Sequence, residues 1–416
     1  MKLAKVRIEN FRHLGTSEDP FELDFTDVLG RVRDFTLLVG PNTCGKTTIL
    51  DAIAAALGQA VAMPTLRSDF KLSPRTVVRR GALQAKVTCW LRFSSDEIAA
   101  TREIFRLAEI KREVPDVSEV VLTWTYPDTR KPSSVSSTAY TYTMPSSGGF
   151  IAPLSGYAIS GQAVAISTFP SMQLSPVEFG TIESDPEQGW LLPRGREQAV
   201  RLMATGRADW NSLHRVGGVF TFDQERTGLG KTVSRQVWNI IQGASKAAEA
   251  NEELRTTDPR SILIDLALQS LVPSLDSRGK VSDEFRLIQD SYARICAPRR
   301  IVGAVRDELG QIDIRFHDGK SEYFYDGLSS GEKNVLLLLI RFAAERIHQS
   351  IVLIDELELN QHPLWQRKLV HLLPKMGEGN QIIATTHSPY LRDALSPDSV
   401  KELGELDAAG KSGGME

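Results

Sequence analysis

Gly40-Pro41-Asn42-Thr43-Cys44-Gly45-Lys46-Thr47-Thr48 is a complete G-x-x-x-x-G-K-T stretch. It follows the apolar run Phe35-Thr36-Leu37-Leu38-Val39 and leads into Ile49-Leu50-Asp51-Ala52-Ile53-Ala54-Ala55-Ala56-Leu57. That is the strand, loop and helix context a phosphate loop needs. The glycines let the backbone curl until its N–H groups point inward at a β-phosphate, and the helix beginning near Gly45 adds its positive end. Lys46 supplies a mobile cation for β/γ-oxygens, and the Thr47 hydroxyl is placed to ligate Mg²⁺. Asn42, Gly45 and Thr48 complete the candidate nucleotide contacts.

The rest of the chain sets limits on what surrounds this loop. With 416 residues it can bury one large core or two modest ones. Its 49 basic and 52 acidic side chains nearly balance, so no global field draws it to nucleic acid or membrane. Any DNA contact has to come from a local patch such as Arg79-Arg80 or Arg299-Arg300, and each pair reads first as solvated surface. Cys44, Cys89 and Cys296 are few and scattered, which fits a reducing cytoplasm and gives neither a disulfide framework nor a zinc site. The opening Met1-Lys2-Leu3-Ala4-Lys5-Val6-Arg7 alternates like a strand and has no signal-peptide core. The longest apolar run, Val335 to Ile340, is far too short for a bilayer. The expectation is a soluble cytoplasmic protein with no membrane partner.

Upstream of the loop, residues 2–9 and the Phe21, Leu23, Phe25 alternation read as half-buried strands. Between them, Arg12 is either a solvated turn residue or, if the first strand lies beside the nucleotide, a contact to the α-phosphate. Downstream, Gln84 to Phe93 and Glu119 to Tyr126 are strand-like, and Ser95 to Lys111 reads as a helix. Lys131 to Gly161 is loop-like in composition. Val219 to Phe222 reads as a strand. Val233 to Asn251, Ser261 to Leu271 and a segment capped at Ser282 read as helices, able to form a stubby projection but no long coiled coil. Gly228-Leu229-Gly230-Lys231-Thr232 ends like a second phosphate loop, but Glu225 stands where the motif needs glycine, and a carboxylate there repels phosphate.

The last third becomes regular. Ile301 to Val305, Gln311 to Phe316 and Tyr323 to Tyr325 read as strands, with a turn at Leu309-Gly310. A long apolar helix opens at Leu328-Ser329-Ser330-Gly331-Glu332. Ile351-Val352-Leu353-Ile354 then ends in Asp355-Glu356, a helix runs from Leu364 to about Met376, and Gln381 to Thr385 forms a strand ending at Thr386-His387-Ser388-Pro389. A buried apolar strand of this kind belongs in a parallel sheet, with its carboxylates emerging at the C-terminal edge where ligands bind. Taken alone, Asp355-Glu356 is equally an ordinary strand exit. After a phosphate loop it reads as Asp355 holding Mg²⁺ and Glu356 polarising the attacking water as general base.

Leu328-Ser329-Ser330-Gly331-Glu332 resembles the L-S-G-G-Q signature of ABC-type ATPases, although Ser-x-x-Glu is also a helix capping box. The wording from Ile354 through Glu358-Leu359, His362-Pro363 and Trp365-Gln366 to Ala384-Thr385-Thr386-His387-Ser388-Pro389 resembles the ATPase heads of the overcoming-lysogenization-defect (OLD) family. It is also similar to relatives in anti-phage systems such as Septu and PARIS. Ile8-Glu9-Asn10-Phe11-Arg12 is similar to RecF and SMC heads. Leu357 departs from the proline usual in that group, and Asn360-Gln361 from its usual turn.

The resemblance implies an α/β ABC-type P-loop NTPase head, a mixed sheet with flanking helices. Its halves are residues 1–62 and 297–405, split by an α+β insertion at 63–296 and followed by a flexible tail at 406–416. The strands around Trp90 and Trp124 are expected to complete the head, leaving about Lys131 to Ile288 for docking or oligomer contacts. The implied cofactors are ATP and Mg²⁺, and the implied catalytic set is Lys46, Glu356 and His387, the last sensing the γ-phosphate. Thr47, Asp355 and, as the Q-loop nominee, Gln224 are expected at the metal. Ser329, Ser330 and Gly331 are expected to serve the nucleotide of an opposite subunit in a homodimer or higher homo-oligomer. Roughly 290 residues separate phosphate loop and signature, too many for a transporter subunit and too few for an SMC arm. No Toprim or paired-histidine nuclease motif accompanies the head. The expected role is therefore an anti-phage ATPase that switches a separate nuclease or toxin effector, with DNA or a phage product as a candidate trigger. The alternative is a RecF-like ATP-gated DNA clamp. A non-hydrolysing scaffold fits poorly with Lys46, Asp355 and Glu356 all present.

Overall fold

Alternation at the start of the chain sets up the first sheet. In the computed structural model, which describes residues 1–61, 73–127, 181–204, 206–223, 259–271, 284–306 and 310–404, β1 (Lys2–Glu9) buries Leu3, Val6 and Ile8. β2 (Phe21–Asp24) buries Phe21 and Leu23 and pairs with it antiparallel, Val6 opposite Leu23. β3 (Phe35–Val39) buries its first four residues in succession, as a strand covered on both faces must. It feeds α1 (Lys46–Val61) through the phosphate loop. Then come β4 (Ala85–Arg92), α2 (Ser95–Leu107), β5 (Glu119–Tyr126), β6 (Thr181–Asp185), α3 (Gly195–Ala204) and β7 (Val219–Phe222). α4 (Pro259–Ser270), α5 (Glu284–Cys296), β8 (Arg300–Arg306), β9 (Ile312–His317) and β10 (Glu322–Phe324) lead to α6 (Ser330–Ala344). β11 (Ile351–Ile354), α7 (Pro363–Leu372), β12 (Gln381–Thr386) and β13 (Val400–Glu402) follow, with short helical turns between some of these elements.

Parallel and antiparallel strands separate into different sheets. The parallel sheet runs β13-β3-β12-β11-β7, the first antiparallel sheet β2-β1-β4-β5-β6, and a small one β10-β9-β8. α1 fills the space between the two large sheets. Its Ile49, Ile53 and Leu57 share a cluster with Val6, Ile8, Val87 and Trp124 on one side and Leu38, Val219, Leu353 and Ile383 on the other. Each such fully buried aliphatic contributes roughly 1.5–3 kcal/mol. The opposite face of the parallel sheet, with Leu37, Phe222, Val352, Ile354 and Ala384, packs against α4 to α7 and the β8–β9 pair.

α4 and α5 do not project. Phe285, Ile288, Tyr292 and Ile295 repeat at helical spacing on α5, and with Ile262 and Leu266 of α4 they are buried in that second cluster. The helix expected to reach Lys111 stops at Leu107, because Glu109 adopts a left-handed conformation (φ 57°) and the Ile110 N–H turns back to the Phe105 carbonyl. α7 gives way at Leu373 to a 3₁₀ turn, since Pro374 has no N–H to continue the α-helical ladder. The three cysteines are free and buried. Among the described residues no helix is long and apolar enough to cross a membrane. Gln224, the Gly228–Thr232 stretch, Lys131 to Gly161, Val233 to Asn251, Ser282, Leu309 and the tail lie outside the described residues.

Candidate functional site

The C-terminal ends of β3, β12 and β11 meet at the phosphate loop. The loop closes through two left-handed residues, Thr43 (φ 69°) and Gly45 (φ 89°), the second of which suits only glycine without strain. Lys46 is only 6% exposed, and its ammonium donates to the carbonyls of Gly40 and Pro41, each at 2.8 Å. The cation is therefore held inside its own cradle. Thr48 is buried, while Asn42 is exposed at the rim.

Asp355 follows the last residue of β11 and is 2% exposed. The Thr47 hydroxyl lies 3.0 Å from both of its carboxylate oxygens, across 308 positions of chain. Thr385, on β12, donates its hydroxyl to Asp355 at 2.6 Å and accepts the Glu356 N–H at 2.9 Å. Glu356 is left-handed (φ 46°), a conformation that costs a non-glycine residue about 1–3 kcal/mol and turns its half-buried side chain out of the strand line. Glu358 then accepts from the Thr386 hydroxyl and the His387 N–H, both at 2.6 Å. The His387 ring is exposed. Lys46, Thr47, Asp355, Glu356 and His387 thus gather along one sheet edge. Thr385 and Glu358 join them, residues that lie within the quoted wording but have no role read from the sequence. The signal for Thr385 is the change from Ile382-Ile383 to two threonines in a strand that remains fully buried.

Arg12 reaches α1 from the segment after β1. Its guanidinium pairs with Asp51 at 2.8 Å, one turn beyond Thr47, and donates to the Thr76 carbonyl at 3.3 Å. Asp51, 2% exposed, had no motif to mark it. The Ser329–Gly331 turn stands apart. Ser329 caps α6 in a reciprocal box with Glu332. Ser329 and Ser330 are exposed, and among the described residues no hydrogen bond joins this turn to the phosphate loop. A β-carbon at Gly331 would stand 2.4 Å from the Asn360 carbonyl, so only glycine allows this approach. Glu332 is buried beneath the turn and accepts the hydroxyls of Tyr292 and Tyr323, each at 2.9 Å, with Arg299 at 3.2 Å. Burial works against its charge, but the bonds from Ser329, Tyr292 and Tyr323 outweigh that and hold its pKa below the ordinary carboxylate value.

A phosphate loop and a carboxylate pair joined at the edge of a parallel sheet define a nucleotide site of the P-loop NTPase class. Known proteins agree. Residues 237–393 match the family described as "AAA domain, putative AbiEii toxin, Type IV TA system", and residues 5–139 match one described as "AAA domain". Septu protein PtuA of Bacillus thuringiensis is 29% identical over 135 residues, which cover 29% of this chain and 33% of the relative, about a third of its length. Retron Ec83 probable ATPase of Escherichia coli is 20% identical over 428 residues, covering 96% of this chain and 71% of the relative. An SMC head solved with the C-winged helix domain of ScpA matches with a TM-score of 0.50 over 98% of this chain and 95% of that one, at 14% identity. At that identity the likeness is one of fold.

Proposed function

We propose that this chain binds and hydrolyses ATP at the Lys46–Asp355 site, pairs head-to-head with a second copy around the nucleotide, and so switches a separate effector in anti-phage defence. The observation that carries the reading is the contact of Thr47 with Asp355, with Glu356 one residue further on. A hydroxyl and a carboxylate are the hard oxygen donors Mg²⁺ takes. Among the described residues no three His, Cys, Asp or Glu side chains stand so that together they could hold a metal ion, so a cation here draws further ligands from phosphate, water and an uncharged side chain such as Gln224. Bound there, Mg²⁺ would neutralise charge on the β- and γ-oxygens.

In this reading the loop N–H groups and Lys46 hold the phosphates, with Asn42, Gly45 and Thr48 shaping the cradle. Glu356 orients the attacking water and takes its proton. His387 contacts the γ-phosphate. The start of α6, with Ser329 and Ser330 exposed and Gly331 buried behind them, serves the facing copy's nucleotide. Gln224 is the proposed Q-loop ligand near the metal. Arg12 braces α1 through Asp51 and has the α-phosphate as its alternative partner. The head comprises 1–62 and 297–405, and the segment between them supplies β4 to β7 along with docking surface. Likeness to Septu protein PtuA and a retron ATPase supports the defence role.

The test is a pair of substitutions in the purified chain. Glu356→Gln is expected to keep ATP binding, lower the hydrolysis rate at least about 100-fold and accumulate as an ATP-bound dimer in sizing chromatography. Lys46→Ala is expected to lose ATP binding itself. Wild-type hydrolysis by Glu356→Gln removes Glu356 as the base.

A further inference from the structure

We infer that Glu358 is a positioning residue for hydrolysis: it fixes where His387 stands relative to Asp355 and Glu356. The inference rests on the roles proposed above for those residues. Glu358 lies three residues after Asp355, in the turn between β11 and α7, and both of its carboxylate oxygens face the end of β12. One takes the Thr386 hydroxyl and the other the His387 N–H, each at 2.6 Å. Bonds of that length to an ionised acceptor are roughly twice as strong as neutral ones.

The next residue, Ser388, adds a second hold on this segment. The Ser388 N–H donates to the Thr386 hydroxyl at 2.9 Å, and the Ser388 hydroxyl donates to the side-chain amide oxygen Oε1 of Gln366 at 2.5 Å. Gln366 in turn donates to the Gln361 carbonyl at 2.9 Å. Residues 386–388 are therefore tied to the segment running from Asp355 to Gln366. The His387 ring is exposed, and among the described residues it makes no hydrogen bond of its own. Its place is set through its backbone, and Glu358 is the charged group that holds that backbone. Thr385 performs the matching task for Asp355 and Glu356. Strands β11 and β12 thus carry two adjacent clamps, one on the carboxylates and one on the histidine.

The test uses the full chain, with Mg²⁺-ATP hydrolysis, ATP-analogue binding and thermal melting measured on each variant. Glu358→Ala is expected to lower kcat about 10- to 100-fold, the scale of one or two charge-assisted hydrogen bonds, with KM changed less than about twofold. Glu358→Gln is expected to recover part of that loss. Its amide oxygen still accepts the His387 N–H, and its amide N–H can donate to the Thr386 hydroxyl. If the clamp acts only through the histidine, Glu358→Gln combined with His387→Ala is no slower than His387→Ala alone. The same holds for Glu358→Ala, so the isosteric variant carries the test if the alanine variant does not fold. Multiplicative losses in the double variants overturn the inference, as does wild-type kcat in both Glu358 variants. An impaired His387→Ala beside unimpaired Glu358 variants removes the inference and leaves the histidine's role intact. Wild-type hydrolysis by His387→Ala removes both.

Discussion

Leu357 stands where similar ATPase heads usually carry proline, and its surroundings give a physical account of the difference. Its N–H donates to the Thr385 carbonyl at 3.0 Å, a bond proline cannot make. The same threonine holds Asp355 and Glu356, so this departure adds a tie between β11 and β12. Such ties explain why the sequence reveals some of the site and hides the rest. Lys46, Thr47, Asp355 and Glu356 belong to contiguous motifs and are legible without a fold. Asp51, Thr385 and Glu358 acquire partners only once the strand order is known. His348 shows the same dependence in its ionisation. Burial, then the neighbouring His214, Arg196 and Arg346, lower its pKa from 6.5 to about 3. Its Nδ1 also accepts the Glu378 N–H at 3.1 Å, which disfavours a proton at that atom. Below pH 6.5 the unfolded chain takes up a proton that the folded chain refuses. This group's contribution to stability therefore falls with acidification by up to about 1.4 kcal/mol per pH unit, down towards the folded value. Urea unfolding between pH 8 and 5 should show that slope, and His348→Asn should flatten it. An identical slope in the variant assigns the pH dependence to other groups.

At the scale of elements, α5 shows what periodicity can and cannot deliver. The spacing of Phe285, Ile288, Tyr292 and Ile295 identifies a helix and its apolar side, but not the surface it covers. The answer lies in long-range packing: α5 lies under α6, with Tyr292 bound to Glu332 directly beneath the Ser329–Gly331 turn. β7 is a similar case. Val219 to Phe222 reads as a strand from composition, yet only the fold pairs it in parallel with β11, Val219 opposite Ile351. The Tyr292–Glu332 contact permits a stability test. Because the folded carboxylate has a depressed pKa, its contribution is complete above the ordinary value of 4.5 and is lost as pH falls through the lower folded value. Tyr292→Phe removes one donor from a buried acceptor and is expected to cost about 1–3 kcal/mol at neutral pH by denaturant unfolding. Glu332→Gln should show a smaller loss of stability than the parent between neutrality and about pH 3. A variant as acid-sensitive as the parent means that Glu332 does not carry this part of the pH dependence.

For the whole molecule, the proposed head-to-head pairing has the phosphate loop of one copy and the α6 turn of the other act together. Ser329 and Ser330 are exposed at the start of a 15-residue helix, and the bonds of their turn run within α6. An exposed helix start of this kind suits a phosphate presented from outside. Ser330 is the better place to block it, because Ser329 supplies the helix cap and its loss would weaken α6. Ser330→Arg is therefore expected to fold and bind ATP through its own Lys46 but to hydrolyse poorly. Lys46→Ala is expected to be inactive through failure to bind. Mixing the two inactive chains forms some dimers in which one site has an intact loop facing an intact turn, while the other carries both lesions. If one site can fire without the other, ATPase activity in the mixture rises above that of either variant alone, towards about a quarter of wild type when half of the dimers are mixed and each has one working site. The rise should depend on total protein concentration, since it requires association. Full activity of Ser330→Arg by itself, with no change on mixing, places the whole site within one chain and removes the head-to-head pairing.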